Sequence, residues 1–366
     1  MYCVFIPLAF LMAVCLARMI LPQILRAAFM KRLFDIPDER KLHTSAIPRL
    51  GGFSFVPIIL FTLAFICALV CRYDAEPVRQ RILSVFPETM LFICGLVVLY
   101  LVGILDDMVG ARYRVKFSAQ IVAAICIALS GIWIDNLYGL FGIYALPPLA
   151  GIPLTMFVVV LVINAINLID GIDGLASGLS GVSLFVLGVV LIMQQSWVFA
   201  LLAFTTLGML FTFFFYNVFG STDRQRKIFM GDTGSLVLGY IQIFLAIQVL
   251  AFPSPQPFGN MFPVAFATLF LPVFDVFKVM VVRLAHKKHI FLADRNHIHH
   301  KLLRTGLSAN RSMVLLVFCH AMFCVVDIWL SLYGIDLTIL VLVNIVVWLI
   351  LNTGVDYVIH LREKKV

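Results

Sequence analysis

Residues 152–194 read IPLTMFVVVLVINAINLIDGIDGLASGLSGVSLFVLGVVLIMQ. The apolar runs 152–169 and 175–194 each approach the ~20 residues that a helix needs to cross a bilayer core. Within and between them stand Asn164, Asn167, Asp170 and Asp173, beside Gly171, Gly174 and Gly178. Ionisable groups are costly at membrane depth, so by default they mark a functional site. The stretch predicts a helical membrane protein and locates its chemistry at one boundary of the bilayer.

The rest of the chain has the same character. Of 366 residues, 62% are hydrophobic and 13% charged, and the mean hydropathy is +1.06. Soluble domains carry about 25% charged residues. Further windows lie at about 2–25, 51–71, 85–105, 117–134, 197–217, 234–252, 261–282, 312–331 and 336–358. The expected fold is an all-α polytopic membrane protein of about 11 transmembrane helices, in a single domain spanning residues 1–366. A transmembrane barrel is excluded, because the runs are continuous and too long for ~10-residue alternating strands. No soluble domain, linker or internal repeat is visible. All eight cysteines sit in apolar windows without metal-ligand spacing and read as small buried hydrophobes.

Orientation follows from the basic residues, which collect in cytoplasmic loops. Loops 26–50, 106–116, 218–230 and 283–311, with the tail 359–366, hold 22 of the 27 lysines and arginines. The opposite loops hold only Arg72, Arg79 and Arg81, while Arg18 and Lys278 fall within spans. The N-terminus is expected on the periplasmic side as an uncleaved anchor, and the C-terminus in the cytoplasm. The net charge of +8 then describes a membrane face that attracts anions, not a nucleic-acid domain.

Every acidic or histidine cluster falls on that same face. Asp106 and Asp107 close the third span; two adjacent carboxylates are tolerable there if a cation neutralises them, although a solvated pair at a helix end is the plainer alternative. Asn164, Asn167, Asp170 and Asp173 recur every three residues, so on a helix they would share one slowly drifting face. Their glycines suit a close ligand or a broken helix, and a helix-packing seam is the competing reading. Gly231-Asp232-Thr-Gly-Ser235 opens the eighth span; its N–H groups are placed to bind phosphate, or Asp232 to hold a metal, or the motif is only a cap. Arg295, His297, His299 and His300 form a cationic patch able to hold anionic oxygens. Zinc fits it poorly, as the histidine spacing is not i, i+4 and no cysteine is near. Arg40 and His43 in the first loop, and Lys116 after Asp107, are either phosphate partners or membrane anchors. An oxygen-rich cluster favours a hard ion such as Mg²⁺, which binds through one or two carboxylates plus substrate phosphates. The loops 26–50, 106–116, 218–233 and 283–311 are thus expected to carry the reaction, and phosphoryl transfer is chiefly positioning and charge neutralisation. A cation-coupled transporter is the rival, but its site would lie near the midplane between repeats.

In this order the blocks "PDERKLHTSAIPRLGG", "LVGILDD", "NAINLIDGIDGLASG", "FMGDTGS" and "DRNHIHHKLLRTG" across residues 37–306 resemble the polyprenyl-phosphate N-acetylhexosamine-1-phosphate transferases. The His-Ile-His-His run is similar to that of bacterial members that use UDP-GlcNAc to begin O-antigen, common-antigen or teichoic-acid precursors. It differs from the run of the branch that transfers phospho-MurNAc-pentapeptide. The resemblance implies attack by undecaprenyl phosphate on UDP-GlcNAc, releasing UMP, at an inner-membrane site facing the cytoplasm. It implies Asp232 as main ligand of Mg²⁺, with Mn²⁺ an alternative, and Asp107, Asp170 and Asp173 close to the metal or diphosphate. Asp106 would activate the lipid phosphate. Lys116, Asn164, Asn167, Asn217, Arg40 and His43 would line the substrates, and Arg295, His297, His299 and His300 would contact diphosphate or sugar, His297 among the catalytic groups. The expected partners are UDP-GlcNAc, undecaprenyl phosphate and the bilayer, without nucleic acid; a homodimer is allowed.

Overall fold

The computed structural model describes residues 2–31, 47–73, 76–222, 224–253, 260–285 and 296–364. Arg40, His43 and Arg295 lie outside the described residues. In chain order the helices are α1 (Tyr2–Lys31), α2 (Phe55–Tyr73), α3 (Glu76–Ser84), α4 (Phe86–Val109), α5 (Tyr113–Leu129), α6 (Pro148–Ile169), α7 (Leu175–Met193), α8 (Trp197–Val218), α9 (Gly231–Ala251), α10 (Phe262–Ala285), α11 (Ile298–Arg304), α12 (Ala309–Leu332) and α13 (Leu337–Glu363). Among the described residues, ten of these are long and apolar enough to cross a membrane. The window at 117–134 corresponds to α5, which starts earlier and has 17 residues. Helices suit apolar segments because every backbone group in their interior bonds within the segment.

The expectation of a purely helical chain needs correction at residues 136–145. Strands β1 (Asn136–Leu140) and β2 (Ile143–Ala145) form an antiparallel hairpin. Phe141 and Gly142 between them both have positive φ, 51° and 76°. That is the backbone of the two-residue turns that match strand twist. The short helix α3 is a second unanticipated element.

The centre of the bundle is α9, whose side chains from Thr233 to Val249 are all buried. Around it pack α4, α6, α7 and α10, while α1 lies along α8. Outward faces are apolar, with Phe318 on α12 and Ile350 on α13 among the exposed side chains. Inside, polar side chains pair between helices: Gln242 with Ser180 at 2.9 Å, Ser183 with His320 at 2.9 Å, and Asn344 with Asp327 at 2.7 Å. Such bonds contribute about 0.6–2 kcal/mol each. Pro272 in α10 has no N–H for the carbonyl of Thr268. That carbonyl instead accepts from Ser183 Oγ of α7 at 2.7 Å.

The antiparallel order of these helices brings the C-terminal ends of α4, α6 and α8 and the N-terminal ends of α5, α7 and α9 to one end of the bundle. Gly103 permits a close approach within this convergence. A Cβ there would fall within 3.0 Å of the Thr233 backbone nitrogen. Only glycine lets α4 approach the first turn of α9 so nearly.

Candidate active site

Asp107 stands one turn beyond Gly103 and reaches across to α9. Its Oδ1 accepts from the Asp232 N–H at 2.8 Å, and its Oδ2 from the Thr233 N–H at 2.9 Å and Thr233 Oγ1 at 2.6 Å. This is an N-cap supplied from another helix. Two first-turn N–H groups of the Gly231–Ser235 motif are therefore occupied, and its reading as an open phosphate cradle does not hold.

Asp106, the neighbouring carboxylate, accepts from the Ala111 N–H at 2.7 Å and from Lys116 Nζ at 3.0 Å. Lys116 also bonds Asp232, so one ammonium joins the acidic ends of α4 and α9. The second oxygen of Asp232 accepts from Asn167 Nδ2 at 3.0 Å, and the same amide donates to Ser235 Oγ at 2.8 Å. The segment before α2 closes over this region. Phe229 N–H donates to Pro48 O at 2.9 Å, while Gly51 and Gly52 donate to Phe229 and Met230 carbonyls at 3.0 and 2.8 Å. Arg49 is thereby held beside the carboxylates.

The polar string of residues 164–173 does not continue on one helix face. Helix α6 ends at Ile169, Asp170 is its C-cap, and Gly174 enters the left-handed region with φ 77° before α7 begins. Asn164 and Asn167 remain on α6, and Asp170 and Asp173 sit in the turn. Asn164 exchanges hydrogen bonds with Gln120 of α5 at 2.7 and 3.3 Å. Asp173 forms an ion pair with Lys227 at 2.6 Å. Asn217 accepts from the Gly174 N–H at 2.6 Å and donates to Ile228 O at 2.9 Å, fastening the turn to the segment before α9. Both are fixed structural ties here. The Asp170 carboxyl is pushed up to about 7, first by burial and then by the charges of Asp232 and Asp173, with Arg49 opposing.

On the other side of the turn lies α11. The His299 ring packs against Gly171, where a Cβ would strike it. His299 is buried and neither ring nitrogen has a partner. Burial and the neighbouring His300 and His297 hold it well below the usual imidazole range, in the neutral form. His297 Nδ1 lies 2.8 Å from Asp275 Oδ2, and the Ile298 N–H donates to Asp275 Oδ1 at 2.9 Å. A cavity of about 670 Å³ between α5, α6 and α10 ends at these groups. Phe117, Phe157, Val160 and Val276 make its apolar wall, and Asn164, Gly171, Arg283, His297, His299 and His300 line its polar end.

The structure thus brings Asp106, Asp107, Lys116, Asn167, Asp170 and Asp232 together and joins them through Gly171 to the histidines. Sequence reasoning missed Asp275, Gln120 and Lys227. Asp275 had a usable signal, a single acid within the apolar window 261–282. Among the described residues, no three His, Cys, Asp or Glu side chains stand ready to hold a metal ion. The donor set nonetheless fits a hard cation that takes one or two carboxylates and completes its shell with substrate oxygens and water. Asp170 faces the charges of Asp232, Asp173 and Asp107, which such a cation would offset.

A membrane-embedded helical bundle with this acidic cleft is matched over residues 89–250 by the model of glycosyl transferase family 4. A Bacillus subtilis (strain 168) protein named "Probable undecaprenyl-phosphate N-acetylglucosaminyl 1-phosphate transferase" is 30% identical over 353 residues, covering 92% of this chain and 89% of its own length. The undecaprenyl-phosphate alpha-N-acetylglucosaminyl 1-phosphate transferase of Pasteurella multocida (strain Pm70) is 34% identical over 300 residues, covering 81% of this chain and 78% of its own. The Yersinia pestis protein of that name is 30% identical over 303 residues, with 81% and 76% covered. The chain belongs to the polyprenyl-phosphate N-acetylhexosamine-1-phosphate transferases of glycosyl transferase family 4.

Proposed function

We propose that the protein transfers GlcNAc-1-phosphate from UDP-GlcNAc to undecaprenyl phosphate, releasing UMP and leaving undecaprenyl-diphosphate-GlcNAc. The observation that carries this reading is the apolar cavity between α5, α6 and α10, which leads to the histidines beside the acidic cluster. A lipid tail and a charged head group find matching surroundings at its two ends. The distribution of basic residues supports a site facing the cytoplasm of a bacterial inner membrane, the side on which a nucleotide sugar is available.

An oxygen of the lipid phosphate forms a bond to the sugar-linked phosphorus while the bond from that phosphorus to the UMP oxygen breaks. Asp232 and Asp170 would hold Mg²⁺, or Mn²⁺ in its place, which when bound supplies neutralisation of the diphosphate. Asp107 keeps the start of α9, and so Asp232, in place. Asn167 orients the same carboxylate. Lys116 offsets charge at the meeting point of two anions, held there by Asp106. The acceptor phosphate has a second pKa near 6 and is mostly dianionic at neutral pH. Asp106 therefore serves more by orienting Lys116 and the acceptor than by removing a proton. His297, His299, His300 and Arg295 contact the diphosphate or sugar, and Arg40 and His43 the lipid phosphate.

The test is UMP release by purified protein from a panel of UDP-sugars with undecaprenyl phosphate, with and without Mg²⁺. Metal-dependent release from UDP-GlcNAc is expected. Release only from another UDP-N-acetylhexosamine would move the protein to a sister activity, and no release from any would end the reading.

A further inference from the structure

Asp275 is a carboxylate for which the proposed reaction has no direct use. It lies within α10, between Phe274 and Val276, and is fully buried. A lone buried carboxylate at this depth is strongly unfavourable without partners. Among the described residues Asp275 has two, both from the start of α11: Oδ1 accepts from the Ile298 N–H at 2.9 Å, and Oδ2 lies 2.8 Å from His297 Nδ1. An ionised carboxylate only accepts, so the proton of that second bond belongs to Nδ1. The imidazole is then fixed in orientation and in tautomer, with Nε2 left for a ligand. His297 lines the polar end of the cavity.

The remainder of α11 is clamped from another direction. Lys301 Nζ bonds both carboxylate oxygens of Asp356 on α13 at 2.6 and 2.8 Å, and Arg304 bonds Glu363 at 2.7 Å. Lys278, one turn after Asp275 on α10, bonds Asn352 of α13 at 2.5 Å. The helix therefore has little freedom to move away from Asp275. Of these ties, the one from Asp275 ends on a histidine ring that lines the cavity.

We infer that Asp275 is the positioning residue of His297, holding its Nδ1–H so that Nε2 is presented to the diphosphate of the nucleotide-sugar substrate. The inference rests on the reaction proposed above and adds a member to its site that touches no substrate itself. Removing the carboxylate while keeping the shape, in Asp275→Asn, is expected to lower kcat for UMP release about 10- to 100-fold, the range typical for a carboxylate that orients a histidine ligand. KM for UDP-GlcNAc should stay within about twofold. In a His297→Ala background the same substitution should change kcat less than about twofold, because its only route of action is gone. An equal loss in both backgrounds would make Asp275 a general fold residue and overturn the inference.

A second measurement needs neither turnover nor a folded Asp275 variant. In ¹⁵N-histidine NMR spectra of the wild-type protein, the signal lost in His297→Ala should show a proton on Nδ1. A bare Nδ1 at His297 would overturn the proposal. Wild-type turnover in His297→Ala would do so as well, by removing His297 from the reaction. Failure of the underlying reading is distinct, since it appears as no UMP release by the wild-type protein with any UDP-sugar.

Discussion

The two sides of the cleft differ in how far they are satisfied from within. On the carboxylate side, Asp106, Asp107, Asp173 and Asp232 each bond a group from another part of the chain. On the histidine side, His299 is more deeply buried than any of these, yet neither of its nitrogens is bonded among the described residues. Buried polar atoms normally have partners, and leaving them without costs about 1–3 kcal/mol each. Most of the acidic side is thus tied from within, whereas His299 brings two unbonded nitrogens to the cleft. Fixed charge on one side and unmet hydrogen-bonding capacity at His299 on the other would suit the proposed transfer between two anions.

The contrast is broken most severely at Asp232. Asp232→Asn should lower kcat/KM about 1000-fold and weaken Mg²⁺ binding measured by calorimetry. Wild-type metal affinity in that variant would separate Asp232 from the cation. Asp106→Asn should lose about 100-fold in turnover while retaining Mg²⁺ and UDP-GlcNAc binding. Unchanged turnover there would remove Asp106 from the chemistry.

A smaller effect comes from pH. Asp170 titrates near 7, above the usual carboxylate value, so in the folded protein it is protonated below that pH. Its ionisation opposes folding, and without a cation its contribution makes stability fall as pH rises from about 4 to about 7. A cation at Asp170 must displace that proton. The Mg²⁺ concentration for half-maximal rate should therefore rise up to about tenfold per unit as pH drops below 7. A flat dependence between pH 5.5 and 7.5 would place the metal away from Asp170.

The mildest change sharpens the other wall. His299→Leu removes two unsatisfied buried nitrogens, so the melting temperature should hold or rise by a few degrees while KM for UDP-GlcNAc rises about fivefold. A drop of many degrees would mean that the ring is a structural member, as the carboxylates opposite are.

The spans and the acidic face were legible because they depend on local composition. About 20 apolar residues can hardly do anything but form a helix in lipid, and the sign of the loop charges requires no knowledge of packing. The cap on α9 was hidden because its acceptor, Asp107, precedes it by 125 residues. Likewise the three-residue spacing of Asn164 to Asp173 suggested one helical face, but the backbone leaves the helix at Asp170 and starts a new one after the left-handed Gly174, which Asn217 ties down. The hairpin at 136–145 was missed because strands of five and three residues between two apolar windows are too short to show an alternating pattern. Asp275 was visible as an anomaly, although its partner His297 could not be named until α10 and α11 were side by side.

The full burial of α9 bears on how the protein is made. Of the ten long apolar helices it is the least apolar, and almost none of it meets the surrounding lipid. The bilayer alone offers it little reason to stay, and its welcome comes from α4 and α6, which are synthesised earlier and must already be waiting. Defects on the faces of those two helices should therefore be read first in the amount of protein that accumulates in the membrane.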